Sequence, residues 1–463
     1  MSLGKDSITY YRSEKKRATK TSRKQALPCN PLLTRLGRDR KREIRPLKTQ
    51  TRTILIPILS VLIVGYCTFK CSAESPQALQ FPTLIHLIND PKGVTLTGEY
   101  IGEGLGNLSG GIQQGAIYEG LLKFTLGLDL EKIFCWDGAS LYASTLYPHG
   151  NGLSRQYTGD LNILSNIDAY DSFRLFELWF QKKFFGDKAS IRIGQLSADV
   201  EFYQSQWSNL FINSCFGTFP TIAFGTLLPI YPVGGLGARI ELHPGPSTFL
   251  RTAVFDSNPG MQDTDDKHGA RFHLNPSAGV IVLSEAAYQI TPSVENGGKE
   301  ESYIIGGYYD SRRFTANFLE PTHASNGGFY AIADRILYRK TPYVNEQSSF
   351  SGLGGFTSMG VAPADRNLIS FYADCGINYN GLFPARDNDV FGIALSYAKI
   401  SRDYLVNNVP VHSGHETVLE ATYRFQVNER VYIQPDFQYI FDPGAFRHLP
   451  NAFVAGVRYD LTF

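Results

Sequence analysis

The sequence has little of what helical membrane proteins and redox enzymes are built from. Among its 463 residues are 3 methionines, 3 tryptophans and 6 cysteines, and charged residues make up only 19%. Its one long apolar run, residues 54–69, contains Pro57 and is shorter than the roughly 20 residues that a membrane-spanning helix needs. Together with a mean hydropathy of -0.16, this composition excludes a bundle of transmembrane helices.

Motifs for nucleophilic, zinc-dependent and nucleotide chemistry are missing as well. The chain contains no Gly-x-Ser-x-Gly, His-Glu-x-x-His or P-loop pattern. Gly102, Gly104 and Gly106 are not followed by a strand-to-helix switch, and no third metal ligand is apparent for His412 and His415, which lie three residues apart in what reads as a turn. We therefore predict that the protein is not an enzyme and needs no cofactor or metal.

The first 73 residues resemble a targeting segment more than a folded domain. Residues 1–53 carry 16 Lys+Arg against 4 Asp+Glu without an apolar period. We interpret them as an extended n-region or as a stretch upstream of a misplaced start, in preference to a basic arm that binds nucleic acid. Residues 54–73 predict the apolar core and cleavage site of a secretory signal, cut after Ala73, with an uncleaved anchor as the alternative. Residues 74–92 would then form a short periplasmic lead-in.

What the sequence does have is glycine, aromatic residues and alternation. It contains 44 Gly, 31 Phe and 26 Tyr. From Phe453 to Phe463 every odd position is apolar, whereas Gly456, Arg458, Asp460 and Thr462 lie between them. A two-residue period places the two sets on opposite faces of a β-strand, as in a membrane barrel with lipid outside and water inside. An edge strand of a soluble sandwich is the alternative.

Similar alternation recurs along residues 93–463 and predicts an all-β fold, a transmembrane antiparallel barrel of about 16 strands. We expect the last strand to pair with the first near residues 94–100, and Tyr459, Leu461 and Phe463 to form the signal read by the assembly machinery. Residues 256–267 and 342–365 are predicted to be external or constriction loops.

The barrel interior is where we expect function. Charged side chains that alternate with apolar ones should point into the lumen, because lipid excludes charge. This criterion selects ten candidates for lining or selectivity: Asp129, Glu131, Arg192, Arg239, Glu241, Glu285, Asp310, Asp374, Glu420 and Arg424.

Charge and cysteine content give two further expectations. Residues 74–463 retain 27 Lys+Arg against 39 Asp+Glu, and such an acidic barrel should attract cations. Cys375 falls in register with Phe371 and Ile377 and should face lipid. Cys135 and Cys215 are then the candidates for disulfide cross-links to other envelope proteins.

Five segments carry a family resemblance: residues 193–202, 210–217, 416–423, 433–439 and 442–444. They closely resemble the OprB-type carbohydrate-selective porins over about residues 93–463. The resemblance implies a 16-stranded barrel in the outer membrane of a Gram-negative bacterium, surrounded by lipid, that passes small solutes. Cys215 and Ala445 depart from the usual sugar-porin pattern. The extra cysteines and the unusual amino-terminal segment resemble a chlamydial branch whose known member takes up L-arginine alongside an arginine decarboxylase and an arginine/agmatine exchanger.

The solute expected from these features is L-arginine, with glucose-like sugars as the alternative. A non-conducting structural or adhesive barrel is the third interpretation, and self-association stays open.

Overall fold

A computed structural model describes residues 88–90, 92–259, 266–270, 272, 274, 279–316, 320–323, 325–345, 348–402 and 413–463. The predicted basic segment, the signal with its cleavage site at Ala73 and nearly all of the lead-in lie outside these residues, as does His412. Among the described residues, no helix has the length and apolarity to cross a membrane.

β-Strands make up most of the regular structure of the described chain. Two helices, α1 (Leu130–Phe134) and α2 (Pro220–Ala223), are each shorter than two turns. The strands are β1 Ile88–Asp90, β2 Val94–Ser109, β3 Gly115–Asp129, β4 Ala139–Gly150, β5 Arg174–Phe184, β6 Ala189–Leu196, β7 Gly235–Gly245, β8 Thr248–Asp256, β9 Val280–Ile290, β10 Glu301–Asp310, β11 Phe314–Ala316, β12 Glu320–His323, β13 Asn326–Arg339, β14 Gly352–Val361, β15 Ile369–Asn380, β16 Val390–Ile400, β17 His415–Asn428, β18 Val431–Phe441 and β19 Ala452–Thr462.

Sixteen of these strands, β2 to β10 and β13 to β19, close into one antiparallel barrel, which confirms the predicted fold. The seam pairs β19 with β2, and Phe463 exchanges both backbone hydrogen bonds with Gly98, at 2.8 and 2.9 Å. The aromatic ring of Phe463 lies over Gly98, where a Cβ atom would come within 2.5 Å of the ring. Closure leaves no unpaired strand edge for lipid to meet.

The two faces of the barrel separate as alternation predicts. On β19 the exposed Val457 and Leu461 point outward, whereas Arg458 and Asp460 are buried and point inward. On β15 Asp374 points inward and Cys375 is exposed on the outer face, as its register predicts.

The two ends of the barrel differ in the length of their connections. Both terminal strands, β2 and β19, have their free ends at one end, which we call the terminal end, and most of the connections there are short. Longer segments connect the strands at the opposite end. Short periplasmic turns and long extracellular loops are typical of outer-membrane barrels, so the terminal end is periplasmic.

Two of the long extracellular connections fold back inside the barrel. We call them loop A (residues 151–173, between β4 and β5) and loop B (residues 197–234, between β6 and β7). By contrast, the predicted loop at 342–365 is wrong in its middle, because residues 352–361 pair with their neighbours as β14. Glycine at Gly352, Gly354 and Gly355 interrupts the apolar alternation that would have revealed this strand.

Candidate functional site: the barrel lumen

Loop B is attached to the inner wall by carboxylates that accept its backbone N–H groups. Glu420 on β17 accepts from Ile212 N and Asn213 N, at 2.6 and 3.0 Å. On β9, Glu285 accepts from Tyr203 N at 2.5 Å. These carboxyl oxygens satisfy backbone donors of the loop that would otherwise be buried without a partner. A loop without regular structure can therefore hold one position across the lumen.

Further side chains of the wall fix loop B between these points. Asp334 on β13 accepts from Ser205 Oγ at 2.6 Å. Gln434 on β18 donates to Leu210 O at 2.8 Å, and Tyr372 on β15 donates to Cys215 O at 2.8 Å. The loop is thus attached to wall strands from β9 to β18.

An apolar core fills the space between loop B and the wall. Its members from the loop include Phe202, Trp207, Phe211, Phe216 and Phe219, and they pack against inward-facing wall residues that include Tyr330, Phe356 and Tyr372. This part of the interior is packed like a soluble protein core, because loop B shields it from water. Solutes must therefore pass where this core does not fill the lumen.

Loop A is attached at the extracellular end in a similar way. Glu416 on β17 accepts three backbone N–H groups, from Leu161 and Asn162 at 2.8 Å each and from Gly444 at 2.6 Å. Glu416 is completely buried. One side chain therefore joins loop A, β17 and the turn before β19.

Along β6 to β8 the channel wall carries three arginines matched by glutamates. Glu201 of loop B lies 2.8 Å from Arg192 and 2.7 Å from Arg239. Arg251 lies 2.6 Å from Glu241, so the guanidinium charge of Arg251 is also paired with a carboxylate. All five side chains are at most 17% exposed. We call these residues the Arg–Glu wall.

Two electrostatic consequences follow for the Arg–Glu wall. Burial alone would raise the pKa of Glu201, but attraction by Arg192 and Arg239 outweighs it and leaves the pKa below its usual value. The guanidinium of Arg192 also lies 3.7 Å from the centre of the Trp179 ring, which itself stacks on Tyr142 at 4.9 Å. This cation–π stack orients Arg192.

Seven of the ten predicted lining residues contact an inner loop or the Arg–Glu wall, or lie on the same inner face. Arg192, Arg239, Glu241, Glu285 and Glu420 are described above. Asp374 accepts from Tyr372 Oη at 2.9 Å beside loop B, and Arg424 lies over the ring of Tyr432. Asp310 is buried at the extracellular end of β10, where it pairs with Arg312 at 2.6 Å.

Glu131 does not line the lumen, and that prediction is wrong, whereas Asp129 is the last residue of β3 and lies at the rim of the barrel. Asp129 caps α1, accepting from Lys132 N at 3.1 Å, and Glu131 belongs to α1 and accepts from Gly138 N at 2.9 Å. Glu131 is exposed in the turn between β3 and β4. The two-residue period was extended past the end of β3, where a helical turn begins.

The expectation for Cys215 is also wrong. Its thiol is 1% exposed, hydrogen-bonds Ser396 Oγ at 3.2 Å, and burial raises its pKa. It cannot reach another envelope protein while loop B is in place. Cys135 is exposed, and cross-linking through it remains a prediction.

Comparison with known proteins gives the same picture. A family model described as "Carbohydrate-selective porin, OprB family" matches residues 113–463. The chain belongs to the OprB family. Porin B of Pseudomonas aeruginosa is 24% identical and the match covers 80% of this chain and 88% of Porin B. The putative porin QuiX of Acinetobacter baylyi is 22% identical, covering 81% and 90%.

Solved structures support the fold of this OprB-family member. A high-pH structure of Pseudomonas putida OprB superposes with a TM-score of 0.72 at 23% identity, covering 80% of this chain and 94% of that one. Salmonella typhi OmpF gives a TM-score of 0.51 at 11% identity, covering 82% and 100%. The protein is an outer-membrane porin for passive entry of small solutes. Neither the family model nor these relatives point to arginine.

The OprB-family segments recognised in the sequence are largely those that attach the inner loops. Glu416, Glu420 and Gln434 hold loops A and B, and residues 210–217 are part of what they hold. Sequence reasoning missed Glu201, Arg251 and Trp179. Loop B has no two-residue period, and its density of Phe and Trp was the signal that could have revealed a segment buried inside the barrel.

Proposed function

We propose that the pore passes neutral carbohydrates of the size of glucose. The observation that carries this proposal is the Arg–Glu wall, in which Arg192, Arg239 and Arg251 stand beside Glu201 and Glu241. Sugar hydroxyls both donate and accept hydrogen bonds, and adjacent guanidinium donors and carboxylate acceptors match them. Positive and negative groups alternate on this wall, so it presents both hydrogen-bond donors and acceptors with little net electrostatic field.

The same wall is poorly suited to L-arginine. A guanidinium approaching it meets three others, while the glutamates it would need already contact Arg192, Arg239 and Arg251. The acidic excess of the chain does not compensate, because many of the interior carboxylates bind backbone N–H groups of the inner loops. The expectation of cation attraction rested on net charge alone and did not include these contacts between carboxyl groups and the loop backbone.

Liposome swelling with purified protein tests the proposal. We expect glucose to enter faster than L-arginine, and glucose added to a planar bilayer to reduce single-channel current by occupying the wall. Arg192→Leu should weaken that current block, whereas Arg430→Leu, in the turn between β17 and β18, should not. Faster entry of arginine together with cation-selective reversal potentials would reject the carbohydrate proposal.

A further inference from the structure

The outer, lipid-facing surface of the barrel has a groove that the transport function does not use. It spans β10 and β13 to β17 and has a volume of about 650 Å³. Ala333, Gly355 and Cys375, which have small side chains or none, form the floor of the groove. Leu337 and Leu395 form its sides. The groove is therefore an apolar channel open to the membrane.

An ion pair on this lipid-facing surface borders the groove. Arg335 on β13 is 55% exposed, and its Nε lies 3.1 Å from Glu301 on β10, which is 12% exposed. Tyr303 Oη donates to the same carboxylate at 2.8 Å. Glu301 is therefore covered by two partners, whereas the guanidinium of Arg335 retains donors directed toward the membrane.

Position along the strand places this guanidinium at the level of the periplasmic leaflet's headgroups. Arg335 is four residues from the terminal end of β13, and Tyr303 and Tyr338 stand on the outer face at the same end. Such tyrosines mark the membrane interface of outer-membrane barrels, where a lipid-facing arginine is least costly.

We propose that the groove binds one anionic phospholipid of the periplasmic leaflet. An acyl chain would lie over Gly355 and Cys375, and the phosphate would accept hydrogen bonds from Arg335. Guanidinium binds phosphate in a bidentate geometry that an isolated ammonium lacks. A groove that joins an apolar floor to a cation at headgroup level fits both parts of such a lipid.

Native mass spectrometry of detergent-purified protein titrated with phosphatidylglycerol tests this proposal. Wild type should retain one lipid, and Arg335→Gln should weaken its binding about fivefold, the contribution expected of one basic side chain at a membrane surface. Gly355→Leu should fill the groove with the same result; a Cβ there meets the end of the flexible Leu337 side chain at 3.0 Å and the backbone oxygen of Gly376 at 3.3 Å. The control is Lys399→Gln, an outward-facing lysine at the extracellular end of β16.

A native cysteine supplies an independent measurement that does not depend on the variants folding. Phosphatidylglycerol should slow N-ethylmaleimide labelling of Cys375 in detergent and leave the exposed Cys135 unaffected. Equal lipid retention by wild type and Arg335→Gln, or unprotected Cys375, would overturn the proposal. If the wild type forms dimers or trimers and Gly355→Leu is monomeric, the groove binds a second copy of the chain, and the lipid proposal is overturned.

Discussion

Replacing Glu420 with glutamine should loosen loop B while leaving the barrel intact. The carboxylate is completely buried and accepts two backbone N–H groups, from Ile212 at 2.6 Å and Asn213 at 3.0 Å. An amide has one acceptor oxygen, so its NH₂ group would face the second N–H. Losing one hydrogen bond to a buried carboxylate and leaving a donor unpaired costs about 2–4 kcal/mol.

That cost applies to local opening of the loop. Since 1.4 kcal/mol corresponds to a factor of ten, the equilibrium for detaching residues 208–214 should rise roughly 30- to 900-fold. Hydrogen exchange measures this equilibrium directly, because amides exchange through local opening. We expect Ile212 and Asn213 to lose protection by such a factor while amides of β17 keep theirs.

Single-channel recording gives the functional counterpart. Glu420→Gln should raise conductance, because a loosened loop B obstructs the lumen less. It should also raise open-channel noise, because the position of the loosened loop fluctuates. The control is Glu429→Gln, which makes the same chemical change in the exposed turn between β17 and β18. The reasoning is refuted if protection of Ile212 and Asn213 is unchanged, or if the control variant gives the same noise.

Three other expectations concern ion selectivity, assembly and thiol chemistry. Glu201→Gln should shift the reversal potential toward anion preference, because Arg192 and Arg239 lose the carboxylate that they share. Glu295→Gln, in the periplasmic turn between β9 and β10, should not. The folded-state pKa of Glu201 is depressed. The stability that its charged carboxylate contributes to the fold is therefore complete above the unfolded-state pKa and is lost only as pH falls through the lower folded-state pKa. Wild-type selectivity should accordingly be the same at pH 7 and pH 5. Deleting Phe463 should lower the yield of heat-modifiable, membrane-inserted barrel more than it lowers the stability of barrels already formed; normal yield would contradict this. A water-soluble maleimide should label Cys135 in the intact protein and label Cys215 only after denaturation; rapid labelling of Cys215 would mean that loop B leaves the lumen.

Alternation predicted the barrel because it reports a local property. The alternation from Phe453 to Phe463 indicates which side chains face lipid without reference to the rest of the chain. The same rule placed Cys375 outside and Asp374 inside. It failed at Glu131, since strand ends are set by capping and turn geometry that a two-residue period does not contain.

The interior could not be predicted in the same way. Whether a carboxylate such as Glu420 attracts solutes or binds a loop depends on which distant segment reaches it. Ile212 and Glu420 are 208 residues apart, and no pattern in either neighbourhood specifies the contact. For the same reason net charge suggested a cation pathway, although acids such as Glu285 and Glu416 are occupied by backbone amides.

The distance along the chain between the inner loops and their carboxylates has a consequence for biogenesis. Loop A and loop B leave the ribosome and cross the inner membrane long before β17, which carries Glu416 and Glu420. Until then the aromatic side chains of loop B have no wall to cover them, and such exposed apolar surface favours aggregation. Periplasmic chaperones must therefore shield this segment during transit, and cells short of them should lose this porin before barrels whose lumens contain only water.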